Sequence, residues 1–203
     1  MPESQAVTVR LPAPRTKGTL SIEEAIAARR SQRAYRSDPL TLAEAAQLLW
    51  SAQGITGPER QRTAPSAGAL FPLELYLCVS RVEGLEPGTY RYHPRPHELV
   101  LVSPGDKRRE LAAAALDQDC IRFSSCILLF AAVPERITVK YGQRGLRYIH
   151  MEAGHAAENV YLQATALGLG TVVVGAFDDA QLARIAHLAA GEEAVYMMPV
   201  GKR

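Results

Sequence analysis

The longest structural signal in this sequence is RGLRYIHMEAGHAAENVYLQATALGLG, residues 144–170. Its apolar residues recur at helical spacing and cover more than one face, which predicts a long helix buried on several sides. Small residues between positions 153 and 157 would let a second backbone approach closely, either an internal helix or a subunit partner. Gly168 and Gly170 then end the helix.

Helix and strand signals alternate on both sides of this helix. Capping-box patterns at 21–24 and 41–44 start two helices, of which the first runs to about residue 33 and the second ends at Gly54. The segment LELYLCVS, residues 73–80, alternates apolar positions and predicts a half-buried strand. Further helices are predicted at KRRELAAAALDQ and after Asp178, and further strands at TYRY and HELVLV (a hairpin), CILLFAAV, TVVVG and AVYMMPV. These signals indicate a mixed α+β fold rather than a strict series of βαβ units.

Composition and charge exclude several classes of protein. The chain has 203 residues with 23 basic and 21 acidic side chains, so we expect neither a nucleic acid nor a membrane as partner. No apolar run is long enough for a membrane helix, and the N-terminus lacks the apolar stretch of a signal peptide. Three widely spaced cysteines suit a reducing compartment, which predicts a cytoplasmic protein. Residues 1–18 form a predicted arm, loose or laid on a partner, and residues 19–203 form one domain.

Four arginines in ARRSQRAYR, residues 28–36, form a candidate phosphate site. A phosphate needs forked, charged donors and a hydroxyl, and Ser31 supplies the hydroxyl. Arg29 and Arg33, four positions apart, would share one face of a helix. The alternative interpretation is that these cations lie in water and complement the dipole at a helix C-terminus.

Two glycine-containing loops offer surfaces for a flat ligand. The segment PSAGA, residues 65–69, is a loop of small residues that leads into a strand. The segment GLGTVVVGAFDD, residues 168–179, has the glycines of a dinucleotide-binding fingerprint but in the wrong context, because they end a helix and open a strand. A backbone amide near Gly175 and Ala176 could still face a ligand.

The residues Glu152, His155 and Glu158 imitate a carboxylate-bridged metal site on one helix. Such a site needs a second helix with the same pattern, and the sequence has none, so we expect no metal. His155 is instead expected to be a polar or interface residue.

Four motifs in a fixed order carry a family resemblance. They are RRSQR (29–33), PSAGALFPLELY (65–76), KYGQRGLRY (140–148) followed by GHAAENVYLQATALGLG, and VVVGAFDD (172–179) leading to MPVGKR at the end. Through them the chain, from residue 21 to 203, resembles the FMN-dependent nitroreductase superfamily and, within it, the SagB-type azoline dehydrogenase branch. The resemblance implies an α+β fold with a mixed, mainly antiparallel sheet flanked by helices, one long central helix, and a homodimer with FMN at its interface.

The resemblance also implies roles for individual residues. One group would hold the flavin phosphate and the polar edge of the ring, namely Arg29, Arg30, Ser31 and Arg33, completed by Lys202 and Arg203. A second group would contact the ring of a flavin bound largely by the other subunit, namely Pro65, Ser66, Ala67 and Gly68. At Gly175 and Ala176 a backbone amide would face flavin N5. Lys140 and Tyr141 match the lysine–tyrosine pair that azoline dehydrogenases use for proton removal.

The implied function is that of a flavin oxidoreductase. Hydride would pass from NAD(P)H or an organic substrate through flavin N5 to an acceptor such as a nitroaromatic, a quinone or oxygen. Two alternatives stay open: a SagB-type azoline dehydrogenase acting on thiazoline or oxazoline peptides, and a non-catalytic flavin-binding dimer. Consecutive side chains on a helix or strand point in different directions, so we expect that only a loop would let Lys140 and Tyr141 face the same ring.

Overall fold

The structure is a computed structural model that describes residues 7–59 and 61–203. The first six residues of the predicted N-terminal arm lie outside the described residues. Seven strands form in the described part: β1 Thr8–Arg10, β2 Leu73–Val79, β3 Gly88–His93, β4 Glu98–Pro104, β5 Cys126–Ala132, β6 Leu169–Thr171 and β7 Glu193–Lys202. They build one sheet in the order β1-β4-β3-β2-β5-β7-β6, and every neighbouring pair is antiparallel.

Seven α-helices accompany the sheet in the described part: α1 Ile22–Ala28, α2 Leu42–Gln53, α3 Arg108–Ala114, α4 Asp119–Arg122, α5 Glu135–Tyr141, α6 Arg144–Ala166 and α7 Asp179–Ala186. Helix α6 confirms the long central helix expected from the sequence, and both predicted capping boxes form at the starts of α1 and α2. None of the helices in 7–59 and 61–203 combines the length and apolar character needed to cross a membrane.

Two apolar clusters cover the two faces of the sheet. The first packs α2, α5 and α6 against one set of alternate positions of β5, and the second packs α3, α4 and α7 against the other set. Strand β2 is therefore buried on both faces, with Leu75 in the first cluster and Tyr76 in the second. The expectation of a half-buried strand was wrong, because helices distant in sequence cover the face that alternation assigned to solvent.

The arm packs on its own chain in its described part. Strand β1 pairs with β4, and the backbone of Arg15 exchanges hydrogen bonds with the Gln47 side chain at 2.8 and 3.0 Å. This differs from the expectation of an arm that is loose or laid on a partner.

Helix α1 ends at residue 28, earlier than the sequence suggested. Arg29 has extended backbone angles (φ −54°, ψ 127°), and the following segment crosses to the sheet edge, where the Gln32 N–H donates to the Thr171 carbonyl at 2.9 Å. Tyr35 lies over Gly201, where an added Cβ would be 2.5 Å from the tyrosine Cβ. Arg29 and Arg33 thus do not share a helical face, because the glycine-lined edge of the sheet holds this segment extended.

Candidate functional site

Tyr161 of α6 joins two of the predicted site segments. Its hydroxyl accepts a hydrogen bond from the Val173 N–H at 2.8 Å and lies 3.2 Å from the Ser31 Oγ. The Arg29 guanidinium lies over its ring, 5.2 Å from the centroid. The structure therefore brings Arg29 and Ser31 close to Val173, two residues before Gly175. Sequence analysis did not identify Tyr161. The one feature that could have indicated it is a polar hydroxyl on a helix that was predicted to be buried.

The predicted phosphate-binding cations differ in how far their guanidinium groups are already engaged in hydrogen bonds and ion pairs. Arg29 has only a loose ion pair, with its Nε 3.9 Å from Glu158. Arg30 donates to the carbonyls of Ala27 and of Arg29, so its guanidinium is engaged locally. Arg33 is exposed and has no ion pair within the described residues. Arg29 and Arg33 are therefore the two cations of this segment whose charges are least engaged by other groups of the described residues.

Lys202 is already paired at the end of β7. Its Nζ lies 2.5 Å from a carboxylate oxygen of Glu44, which is also part of the capping box of α2. Burial pushes the pKa of Glu44 upward, but hydrogen bonds from Lys202 and Thr41 hold the pKa below its ordinary value. An anion near Lys202 would have to share the ammonium with Glu44. Arg203 is exposed.

The backbone at Gly175 and Ala176 is open to solvent. Val174 forms a bridge with Met197 through both backbone hydrogen bonds, whereas the amides of the next two residues find no acceptor within the described part of the chain. Both residues are exposed. Their N–H groups can therefore donate to a ligand, as the sequence motif suggested.

The PSAGA loop has an unusual backbone. Gly68 has a φ of 62°, and Ala69 and Phe71 also have positive φ values of 53° and 47°. A left-handed backbone strains residues with a side chain, and such strain is concentrated at functional sites. The Ser66 Oγ supports the turn by accepting a hydrogen bond from the Phe71 N–H at 2.9 Å.

Lys140 and Tyr141 converge on this loop. A Cβ added at Gly68 would lie 2.8 Å from the Tyr141 Oη and 3.0 Å from the Lys140 Nζ. The pair lies in the last turn of α5 and not in a loop, and the ends of both side chains still lie near Gly68. That both face one flavin ring stays a prediction. The long lysine side chain reaches the same point as the phenol although the two Cα–Cβ bonds diverge, and Tyr148 packs edge-on against Tyr141 at 5.1 Å between centroids.

The two groups of site residues contact different turns of α6. Ser66 lies near Glu152, whereas Ser31 contacts Tyr161, nine residues and about 13 Å further along the helix axis. No hydrogen bond or ion pair joins the PSAGA loop to the arginine segment within the described residues of one chain.

Glu152 is a buried acid beside the PSAGA loop. Its side chain is 2% exposed, and no donor within the described residues makes a well-formed hydrogen bond to either carboxyl oxygen. Burial raises its pKa to about 7, against the opposing influence of Ser66, Arg62 and Gln53 nearby. Sequence analysis considered this residue only as part of a metal-like pattern.

That pattern does not come together in space. Glu152 is buried, whereas His155 and Glu158 are exposed to solvent. Among the described residues, no three His, Cys, Asp or Glu side chains are grouped so that they could hold a metal ion.

Known proteins resemble this chain in sequence and in fold. The family model described as "Nitroreductase family" matches residues 26–202. The chain is 47% identical over 184 residues to "Putative nitroreductase MJ1384" of Methanocaldococcus jannaschii, covering 91% of this chain and 92% of that protein. It is 29% identical over 133 residues to the microcin B17-processing protein McbC of Escherichia coli, covering 63% of this chain and 49% of McbC. The crystal structure of a "putative nitroreductase" from Ralstonia eutropha JMP134 superposes with a TM-score of 0.84 at 30% identity, covering 96% of this chain and 89% of that one.

Proposed function

This chain belongs to the nitroreductase family, and we propose that it is an FMN-dependent oxidoreductase that works as a homodimer. Bound FMN would supply the redox chemistry, taking hydride at N5 from NAD(P)H or an organic substrate and passing electrons to an acceptor. The residues of the chain would bind and orient the cofactor, exclude water and move protons.

The arrangement around Tyr161 carries this proposal. A forked cation (Arg29), a hydroxyl (Ser31) and the Val173 N–H come from distant parts of the chain and meet at the Tyr161 phenol. The unpaired amides of Gly175 and Ala176 follow two and three residues after Val173. A phosphate requires the cation and the hydroxyl, and a ring nitrogen that accepts a hydrogen bond requires an unpaired N–H. Arg33 would add a second charge. The residues present therefore fit the polar tail and the reactive edge of FMN.

The PSAGA loop supports a cofactor site shared between subunits. Gly68 and Ala69 are exposed and present little side chain, so a flat ring can lie against their backbone. Because the loop and the arginine segment contact different turns of α6 in one chain, we propose that the loop of each protomer faces the FMN held by its partner.

The first experiment measures FMN affinity. The purified protein should be yellow, and the variants Arg29→Ala and Arg33→Ala should each bind FMN about 10- to 150-fold more weakly, because a charged hydrogen bond contributes about 1.5–3 kcal/mol. Arg36→Ala is the matched control, since Arg36 belongs to the same segment but is paired with Asp38 at 2.9 Å. Protein that does not bind FMN, or arginine variants with the affinity of the parent, would overturn the proposal.

A second measurement separates an enzyme from a flavin carrier. The FMN-loaded protein is mixed anaerobically with NADH or NADPH, and bleaching of the flavin absorbance is followed in a stopped-flow instrument. We expect reduction and then reoxidation by a nitroaromatic or a quinone. Protein that binds FMN tightly but is reduced by neither nicotinamide nor an organic donor would favour the carrier alternative.

A second candidate function is that of an azoline dehydrogenase. It is favoured by the convergence of the Tyr141 Oη and the Lys140 Nζ at Gly68, and by the similarity to McbC, of which the chain spans about half. Oxidation of a thiazoline removes a hydride and a proton from adjacent atoms of the ring. With a bound FMN as the hydride acceptor, the Tyr141 oxygen would take the proton, and the Lys140 Nζ would place a positive charge beside that oxygen.

This candidate is tested with a synthetic thiazoline peptide. Tyr141→Phe should abolish thiazole formation while FMN affinity stays at the parent level. Tyr148→Phe is the matched control, because it removes a hydroxyl from the ring packed against Tyr141. Thiazole formation that survives in Tyr141→Phe would exclude the phenol as the base.

A further inference from the structure

A pocket borders the PSAGA loop, with Ala69 of that loop in its wall. It has a volume of about 600 Å³ and is lined by four arginines: Arg62, Arg91, Arg95 and Arg136. We infer that this arginine pocket binds the anionic group, a carboxylate or a phosphate, of a small molecule with a flat apolar body. Ala69 of the PSAGA loop lies in the pocket wall, but the four arginines that carry the inference are not among the residues proposed to bind FMN.

The pocket carries an excess of positive charge. Glu74 lies in its wall and pairs with Arg91 at 3.1 Å and with Arg136 at 2.5 Å, and Arg91 also pairs with the buried Glu192 at 2.7 Å. Two carboxylates therefore balance the charge of only two of the four guanidinium groups. Arg62 and Arg95 have no ion pair with a carboxylate within the described residues. A pocket with this imbalance attracts anions.

The Arg62 side chain is fixed by its neighbours, but one of its hydrogen-bond donors has no partner. Its guanidinium stacks on the Phe71 ring at 4.4 Å and donates one hydrogen bond to the Gln53 Oε1 at 2.7 Å, while its buried Nε has no partner. Burial lowers the pKa of Arg62, so the charged form has lost hydration. Glu152 lies behind it, but burial raises the pKa of that acid to about 7, so near neutral pH it offsets the charge only in part. An anion in the pocket would supply the missing counter-charge.

Apolar groups complete the wall and define the rest of the ligand. Leu70, Phe71, Tyr92 and Pro94 also line the pocket, and the Phe71 ring lies against the Arg62 guanidinium. Small-molecule sites have volumes of about 300–1,000 Å³ and combine an apolar lining with a few placed polar groups. The ligand class is therefore an aromatic carboxylate or a nucleotide, in which one flat ring system carries the anion.

Calorimetric titration of the full chain tests the inference with two pairs of probes. The carboxylate arm compares benzoate with its neutral isostere benzamide, and the phosphate arm compares AMP with adenosine. In at least one arm the anion should bind about tenfold or more tightly than the neutral probe. The arm that shows the difference identifies the source of the anion, and equal affinity in both arms would overturn the inference.

Matched arginine variants then locate the binding. Arg62→Gln and Arg95→Gln should each weaken binding of the anionic probe about tenfold. Arg95 is exposed and unpaired, so its variant keeps the test valid if Arg62→Gln does not fold. Arg109→Gln, which removes an exposed charge elsewhere, and Arg33→Ala in the proposed FMN site should bind the probe like the parent. Loss of binding in Arg33→Ala but not in the two pocket variants would assign the anion to the FMN site and overturn the inference.

Discussion

Replacing Glu152 by glutamine should make the stability of this protein much less sensitive to pH. Glu152 is 2% exposed, and burial raises its pKa from 4.5 to about 7. Between these two values the folded protein holds the proton while the unfolded chain has released it. The free energy of unfolding therefore falls as the pH rises through this window, and the loss is complete above the folded pKa.

The expected magnitude follows from the size of the shift. Each pH unit of the window costs about 1.4 kcal/mol, which gives about 3 kcal/mol in total. A glutamine fills almost the same space and has no proton to release, so the variant lacks this loss. The stability of Glu152→Gln relative to the parent should rise by about 2–3 kcal/mol between pH 5 and pH 8.

The assay is urea unfolding at several pH values, monitored by tryptophan fluorescence. Glu158→Gln is the matched control on the same helix, because it makes the same change of carboxylate to amide at a side chain that is 53% exposed. A difference between Glu152→Gln and the parent that is constant from pH 5 to pH 8, or that is larger at pH 5, would refute the reasoning.

Three further changes have expected effects on the midpoint of urea unfolding. Tyr161→Phe leaves the Val173 N–H without its acceptor and should cost about 1–2 kcal/mol, so an unchanged midpoint would show that water replaces the phenol. Gly201→Ala places a methyl group 2.5 Å from the Tyr35 Cβ and should cost about 1–3 kcal/mol; a stabilised protein would contradict this close packing. Thr41→Ala removes the N-cap of α2 and should cost about 1 kcal/mol, and a cost near zero would mean that Glu44 alone caps the helix.

Local signals located most of the elements correctly. The capping boxes at Ser21 and Thr41 marked helix starts that the structure confirms, and the apolar segment 126–133 was identified as a buried strand. These signals succeed because a cap or a hydrophobic period involves residues a few positions apart. The end of α1 was misplaced for the opposite reason, since the contacts that hold the segment after Arg29 extended come from the distant strands β6 and β7.

For the candidate site, too, the sequence identified single residues but not the contact that joins them. The sequence motifs picked out Arg29, Ser31 and the residues near Gly175 one by one, but Tyr161, which joins them, had no motif of its own. The raised pKa of Glu152 could not be predicted from the sequence either. Burial raises it, and the groups nearby include Ser66, about 85 residues earlier in the chain.

The central helix, most of the other helices and strands, the family resemblance and the residue types available for chemistry all followed from local patterns in the sequence. Three elements did not: β1, α4 and α5 were not predicted. The tertiary structure alone decided that Lys140 and Tyr141 meet at Gly68, that β2 is covered on both faces, and that four arginines from three separate segments line one pocket. The physical reason is range: helical period, capping and turn chemistry act over a few residues, whereas burial, charge imbalance and convergence depend on segments that only folding brings together.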